Sequence, residues 1–170
     1  MCRPPTRSLV PIVLAVALLI VAAATSRVVA QSAAPGDPRV LGTWKLDIVK
    51  SKFTPGPIPT SQIRTYEPHN AGYRATIKTT YASRKPTFVE YVANYDALEY
   101  PVSGSPDYDT IRLKKIDSST SEAVLGHAGQ VFATTRRVVS EDGQTMTITF
   151  HADELQGTRI HNVMVFTRQK

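Results

Sequence analysis

Gly42-Thr43-Trp44-Lys45-Leu46 contains the only tryptophan of the 170-residue chain and begins a run in which apolar and polar residues alternate. Successive side chains of a strand point to opposite faces, so Trp44, Leu46 and Ile48 share one face. The stretch is typical of a strand with one buried face. It favours an all-β fold, either a closed barrel or a two-sheet sandwich with the indole in its core.

Nine further runs of strand composition follow, separated by turn-forming residues. They are Ser61–Glu67, Tyr73–Tyr81, Thr87–Tyr95, Leu98–Val102, Thr110–Ile116, Thr120–Leu125, Val131–Val139, Thr145–His151 and Arg159–Arg168. Ten short amphipathic strands with short links favour an up-and-down antiparallel barrel, because closure leaves no unpaired edge. Three prolines between Lys50 and Pro59 exclude a helix or a central strand from that segment.

The two ends of this domain resemble known barrel families. Gly-x-Trp at the start of the first strand resembles the lipocalins, and Gly42 to Leu46 resembles the intracellular fatty-acid-binding proteins, both calycins. Arg136 to Val139, followed by Asp142-Gly143-Gln144, resembles the C-terminal part of the latter family. The resemblance implies a barrel that the indole closes at one end and that binds a small hydrophobic or amphipathic molecule inside. The proline-rich segment replaces the family's helical lid, so no helical lid is expected.

The same opening motif, followed by Lys-Ser-Lys-Phe-x-Pro-Gly-Pro at 50–57, is similar to small secreted bacterial proteins with lipocalin-like domains.

Hairpin symmetry predicts which side chains face inward. A turn centred on Arg84 pairs Tyr73 with Tyr95, Ile77 with Tyr91, and Tyr81 with Thr87. A loop centred on Gln156 pairs Phe150 with Asn162, Ile148 with Met164, and Met146 with Phe166. Both hairpins therefore direct mainly aromatic and aliphatic side chains to the barrel interior.

The turn Ser140 to Gln144 leaves two registers open. A type I turn with Gly143 in the left-handed conformation is the preferred interpretation, and it places Phe132, Thr134, Arg136 and Val138 inside. A two-residue Asp142-Gly143 turn places Arg137 inside instead.

The family resemblance implies a role for an inward arginine on this strand, which helps to anchor a fatty-acid carboxylate; the matching position is Arg136. The family's second anchor, Arg-x-Tyr on the last strand, falls on Met164-Val165-Phe166. The sequence thus predicts a ligand held by apolar burial rather than by a carboxylate clamp.

The last strand must pair with the first to close the barrel. Alternation from Met164 and Phe166 puts Arg168 on the inner side, beside the start of the strand that carries Trp44. We therefore expect the Arg168 guanidinium to lie across the indole, next to Gly42, as a cation–π contact that closes the floor. The entrance is then expected at the opposite end, near the tyrosines.

The predicted ligand-binding interior comprises Trp44, Tyr73, Ile77, Tyr81, Tyr91, Tyr95, Phe132, Arg136, Ile148, Phe150, Met164 and Phe166. In this hypothesis the ligand is bound by apolar burial, while tyrosine hydroxyls and Arg136 orient its polar end. The alternative hypothesis is a filled barrel that acts as an inhibitor or interaction module for another envelope protein. The volume of the interior distinguishes the two.

The first 30 residues have the three parts of a secretory signal peptide: basic Arg3 and Arg7, an apolar stretch from Leu9 to Ala24, and small residues before Gln31. We expect a mature protein that starts near Gln31, is secreted or periplasmic, and has no membrane span. An uncleaved transmembrane anchor is the alternative. Residues 31–38 read as a flexible lead and residues 39–170 as the barrel domain.

The composition of the chain limits the classes of partner and the kinds of chemistry that we expect. Without Arg3, Arg7 and Arg27 the chain has 17 basic and 14 acidic residues, a net charge of +3, which is too small to indicate nucleic-acid binding. Cys2 is the only cysteine, so the mature domain has no disulfide. We expect a monomer without a cofactor.

Catalytic motifs are not evident. No Gly-x-Ser-x-Gly, phosphate-binding glycine loop or zinc pattern occurs in the sequence. His151 and His161 are expected to be cross-strand neighbours on the outer face. No third ligand lies beside them, and Asp153 and Glu154 in the loop are the only nearby candidates, so no metal site is predicted. The sequence therefore predicts a binding protein rather than an enzyme.

Overall fold

A computed structural model describes residues 37–155 and 158–170, apart from the side chains of residues 153–158. It contains ten strands: β1 (Gly42–Thr54), β2 (Ser61–His69), β3 (Gly72–Thr80), β4 (Thr87–Asn94), β5 (Glu99–Ser103), β6 (Thr110–Lys115), β7 (Thr120–His127), β8 (Gln130–Val139), β9 (Thr145–Leu155) and β10 (Thr158–Arg168). The one helical element in these residues is a 3₁₀ turn, Pro38–Val40.

Each strand pairs antiparallel with its neighbour in the chain, and β1 pairs with β10. The sheet is a closed up-and-down barrel, so the predicted all-β fold of about ten strands is confirmed. Strand direction defines its two ends. The starts of β1, β3 and β9 lie at one end, here called the floor, and the loops that follow β1, β3 and β5 lie at the other end, the mouth.

A bulge in β1 overturns one inward assignment. Asp47 pairs with Val165 and Lys52 with Val163, so β1 advances five residues while β10 advances two. Ser51 Oγ holds the bulge by donating to Asp47 O at 2.6 Å and accepting from Val165 N at 3.0 Å. Trp44 and Leu46 are buried as predicted, but Ile48 is exposed because the bulge interrupts the alternation.

The β3–β4 hairpin has the predicted inward face but a different register. Tyr73 lies opposite Ala93, Ile77 opposite Val89, and Thr79 opposite Thr87. Tyr81 has left the ladder, and Arg84 packs over its ring at 4.2 Å. Because Pro86 has no N–H to donate, the pairing begins at Thr87. The slip is two residues, which changes every partner and preserves every face.

The β8–β9 hairpin does not have the preferred register. It has the alternative register, which places Arg137 inside. Ser140 N donates to Thr145 O at 2.8 Å, which leaves residues 141–144 in the loop, and Arg137 pairs with Ile148. Gly143 is left-handed as expected, with φ of 67°. The Asp142 carboxylate accepts from Gln144 N at 2.9 Å and keeps that residue in the loop.

The loop is one residue longer than in the preferred interpretation, so every side chain of β8 points to the opposite face. The prediction that Arg136 lies inside is therefore wrong. Its side chain is 50% exposed and bonds Glu122 at 2.7 Å on the outer surface. Thr134 and Val138 are also exposed, whereas Ala133, Arg137 and Val139 are buried. Phe132 sits where the β7–β8 register shifts, and its ring contacts the interior Phe150.

The β9–β10 hairpin has the predicted register. Phe150 pairs with Asn162, Ile148 with Met164, and Met146 with Phe166. Gln156, the predicted loop centre, lies outside the described residues.

The predicted signal peptide, its processing site and residues 31–36 of the lead also lie outside the described residues. None of the helices in the described part of the chain has the length and apolar character needed to span a membrane.

Candidate ligand-binding cavity

The floor of the barrel is built around Trp44, which is fully buried. Its Nε1 donates to Val40 O at 2.8 Å, so the 3₁₀ turn satisfies the polar atom of the indole. Arg168 pairs with Trp44 across the β1–β10 seam, and its guanidinium lies 4.3 Å from the ring centroid. The predicted cation–π contact at the floor is confirmed.

Arg168 also connects three chain segments through backbone carbonyls. Nε donates to Gly143 O at 2.6 Å, one terminal nitrogen donates to Leu41 O at 2.6 Å, and the other donates to Arg39 O. The guanidinium thus joins the 3₁₀ turn, the β8–β9 loop and the last strand.

Gly42 makes room for this arrangement. Its φ is 113°, and a Cβ on it would stand 2.7 Å from an Arg168 terminal nitrogen. The backbone conformation therefore favours glycine, and a Cβ here would also push the Arg168 nitrogen away from its position.

A cavity of about 340 Å³ opens at the mouth, among Pro55, Tyr81, Arg84 and Ser105. Its volume lies within the roughly 300–1,000 Å³ of small-molecule sites. The barrel is therefore hollow rather than filled.

Most of the predicted interior residues line this cavity: Tyr73, Ile77, Tyr81, Tyr91, Phe132, Ile148, Phe150 and Met164. Trp44, Tyr95 and Phe166 are buried in the wall and floor instead. The mouth lies opposite Trp44, as predicted. Of the four tyrosines, however, only Tyr81 lies at the mouth, because Tyr73 and Tyr95 stand at the floor ends of β3 and β4.

Arg137 lies at the base of the cavity and is 6% exposed. Its terminal nitrogens donate to Tyr73 Oη at 3.1 Å and to Tyr95 Oη. Its Nε is buried and has no hydrogen-bond partner among the described residues. The guanidinium also lies 5.2 Å from the Tyr66 ring centroid. A buried donor without an acceptor costs stability.

Arg64 on β2 also lines the cavity. Its Nε donates to Gln62 Oε1 at 2.9 Å, and a terminal nitrogen lies 3.5 Å from Tyr66 Oη. The guanidinium packs over the Phe166 ring at 5.1 Å. No ion pair of the described residues includes Arg64 or Arg137. Neither of these two arginines therefore has a carboxylate partner, although the lining also includes Arg84, Asp107 and Glu122, the last of which bonds Arg136.

The arginines and the tyrosine hydroxyls of the cavity shift each other's pKa values. Burial lowers the pKa of the Arg137 guanidinium, but the oxygens of Tyr73, Tyr95 and Tyr66 outweigh it and raise the pKa well above its usual value. Arg137 is thus charged throughout the physiological range. Burial raises the pKa of the Tyr91 hydroxyl well above its usual value. For Tyr66 burial acts in the same direction, but Arg64 and Arg137 outweigh it and lower the pKa of the phenol.

Sequence reasoning missed the polar half of the site: Gln62, Arg64, Tyr66, Tyr108 and Arg137. In β2 the alternation is inverted, since Gln62 is buried while its apolar neighbour Ile63 is exposed. A hydrophobic pattern places Ile63 inside and Arg64 outside. For Arg137 the signal was present in the alternative turn at Asp142-Gly143.

Outside the cavity, His151 and His161 face each other across β9 and β10 as predicted, with ring centroids 4.3 Å apart and both side chains exposed. The described residues contain no group of three His, Cys, Asp or Glu side chains that could hold a metal ion. Asp153 and Glu154 fall outside the described side chains.

The sequence matches no protein-family model and no curated protein. Among solved structures, the chain is similar to zebrafish ileal bile acid-binding protein complexed with cholic acid. The two are 10% identical, the TM-score is 0.44, and the match covers 77% of this chain and 99% of that one. A likeness at this level does not identify what this chain binds.

Proposed function

We propose that this protein binds a small amphipathic anion non-covalently, with the anionic head at Arg137 and Arg64 and the apolar part directed toward the mouth. The observation that carries the proposal is the pair of arginines at the base of an open cavity, one of them buried, without a carboxylate partner in the described residues.

The remaining lining suits an apolar ligand body. Ile77, Ile148, Phe150 and Met164 provide apolar surface in the cavity lining beside the arginines. Burial of about 300 Å² of ligand surface at ~25 cal/mol per Å² gives several kcal/mol, which supports micromolar binding after the cost of association. A charge-assisted hydrogen bond from an arginine adds about 1.5–3 kcal/mol.

Titration calorimetry with decanoate and decanol tests the proposal, because the two share a chain and differ in the head group. We expect decanoate to bind at least tenfold more tightly than decanol at pH 7, since only the carboxylate can neutralise the guanidiniums. Equal affinities would reject the anion site. Binding of neither compound, nor of shorter and longer carboxylates, would reject ligand binding in the cavity.

We further propose that the protein is exported and acts outside the cytoplasm. The support is the basic, apolar and small-residue order of residues 1–30. Mass spectrometry of protein from its own host should give a chain that starts at or near Gln31, because signal peptidase reads the small residues before it. A chain that keeps Met1 to Ala30 and remains in the membrane fraction would contradict export with cleavage.

A further inference from the structure

Tyr66 stands between the two arginines of the cavity. Its Oη lies 3.5 Å from an Arg64 terminal nitrogen, and the Arg137 guanidinium lies 5.2 Å from its ring centroid. The side chain is 2% exposed and lines the cavity. When deprotonated, its oxygen is an anion placed beside the same two cations that the proposed function assigns to the ligand.

We propose that the Tyr66 oxygen and the anionic head of a ligand compete for Arg64 and Arg137, so that the head group binds fully only when Tyr66 is protonated. The inference rests on the proposed function and adds a condition to it. Two guanidiniums can neutralise the phenolate or the ligand's anion, but a phenolate and a second anion together would repel each other in a buried site.

Cations and tyrosines from several strands surround Tyr66. Arg64 faces it from β2, Tyr73 from β3 at 4.9 Å between ring centroids, and Arg137 from β8. Tyr91 on β4, Tyr95 after β4, and Tyr108 before β6 also face it. Burial raises the pKa of these last three hydroxyls, so they stay protonated when Tyr66 ionises.

The direction of the pH effect follows from linkage. In the empty protein the arginines lower the pKa of Tyr66 below its usual value of 10. A bound anion neutralises the arginines and raises that pKa again, so binding takes up a proton in the interval between the two values. Affinity therefore falls as the pH rises through the pKa of the empty protein, by up to tenfold per pH unit.

Competition of this kind also determines which class of acidic head group the cavity prefers. A phenol or another weak acid becomes an anion only at pH values at which Tyr66 is also ionised. Its affinity for the site therefore gains little from the arginines. A carboxylic, sulfonic or phosphoric acid is already an anion at pH values far below those at which phenols ionise, so it can bind while Tyr66 is protonated. The cavity should accordingly prefer strong-acid oxyanions over phenols of similar size.

Decanesulfonate is a suitable probe, since its head group does not titrate between pH 7 and pH 10. Its affinity for the wild type, measured by calorimetry, should fall as the pH rises across this range, by up to tenfold per pH unit. Tyr66→Phe should lose this pH dependence, so that its affinity at pH 10 stays close to its own affinity at pH 7. Tyr100→Phe is the control and should keep the wild-type pH dependence, because the Tyr100 hydroxyl bonds Asp96 and does not line the cavity.

A second signal reports on Tyr66 directly. At a pH where the wild-type spectrum shows phenolate that Tyr66→Phe lacks, saturating decanesulfonate should remove that absorbance. Binding with the same pH dependence in the wild type and Tyr66→Phe, or an unchanged phenolate signal, would overturn the competition and leave the proposed function intact. Failure of both proteins to bind at pH 7 would overturn the anion site and the competition together.

Discussion

Arg168→Ala should lower the free energy of unfolding by about 3 kcal/mol, one of the two largest effects we expect. The variant removes the cation–π contact with Trp44, for about 1–2 kcal/mol, and three charge-assisted bonds to carbonyls. Water can reach part of the vacated floor, which keeps the loss below the sum of these contributions. A shift of about 10 °C in melting temperature follows for a domain of this size, and thermal and urea unfolding measure it.

Arg168→Lys separates the charge from the shape of the guanidinium. A lysine keeps the positive charge over the indole but cannot bond three carbonyls in a fixed fork. We expect it to recover less than half of the loss. A melting temperature of Arg168→Ala equal to that of the wild type would show that the seam between β1 and β10 is stable without this side chain.

The confirmed parts of the sequence prediction depend on sequence patterns that are compatible with few folds. Alternation with period two assigned the inward face of β3, β9 and β10, and closure placed Arg168 beside Trp44. The register error at β3–β4 was harmless because a slip of two residues preserves each face. The barrel was thus predictable from apolar periodicity and turn composition.

The polar half of the site was not predictable in the same way. Arg64 and Gln62 occupy inward positions of β2 against the hydrophobic pattern, which is expected where function competes with local preference. Arg136 and Arg137 are adjacent and identical, so only the length of the β8–β9 loop decides which one points inward. The decisive contact is the bond from Gln144 N to the Asp142 carboxylate, which a list of turn types does not reveal.

Because Arg136 and Arg137 are adjacent, they provide a matched pair of variants for the second of the two largest effects, a loss of ligand affinity. Arg137→Leu should weaken decanoate binding by about 2–5 kcal/mol, roughly 30-fold or more, because a buried charge partner of the carboxylate is lost. Arg136→Leu removes the same side chain from the next residue, on the outer face beside Glu122, and should change the affinity less than about twofold. Calorimetry at pH 7 measures both variants.

The two variants also separate binding from folding. Leucine at 137 removes a buried cation but leaves the hydroxyls of Tyr73 and Tyr95 without their donor, so we expect a change in unfolding free energy of about 2 kcal/mol or less. Because decanol has no charge to lose, its affinity for Arg137→Leu should stay close to the wild-type value. An equal loss for decanoate and decanol would mean that Arg137 only supports the cavity wall. A larger loss in Arg136→Leu than in Arg137→Leu would contradict the β8 register itself, since that register alone places Arg137 inside.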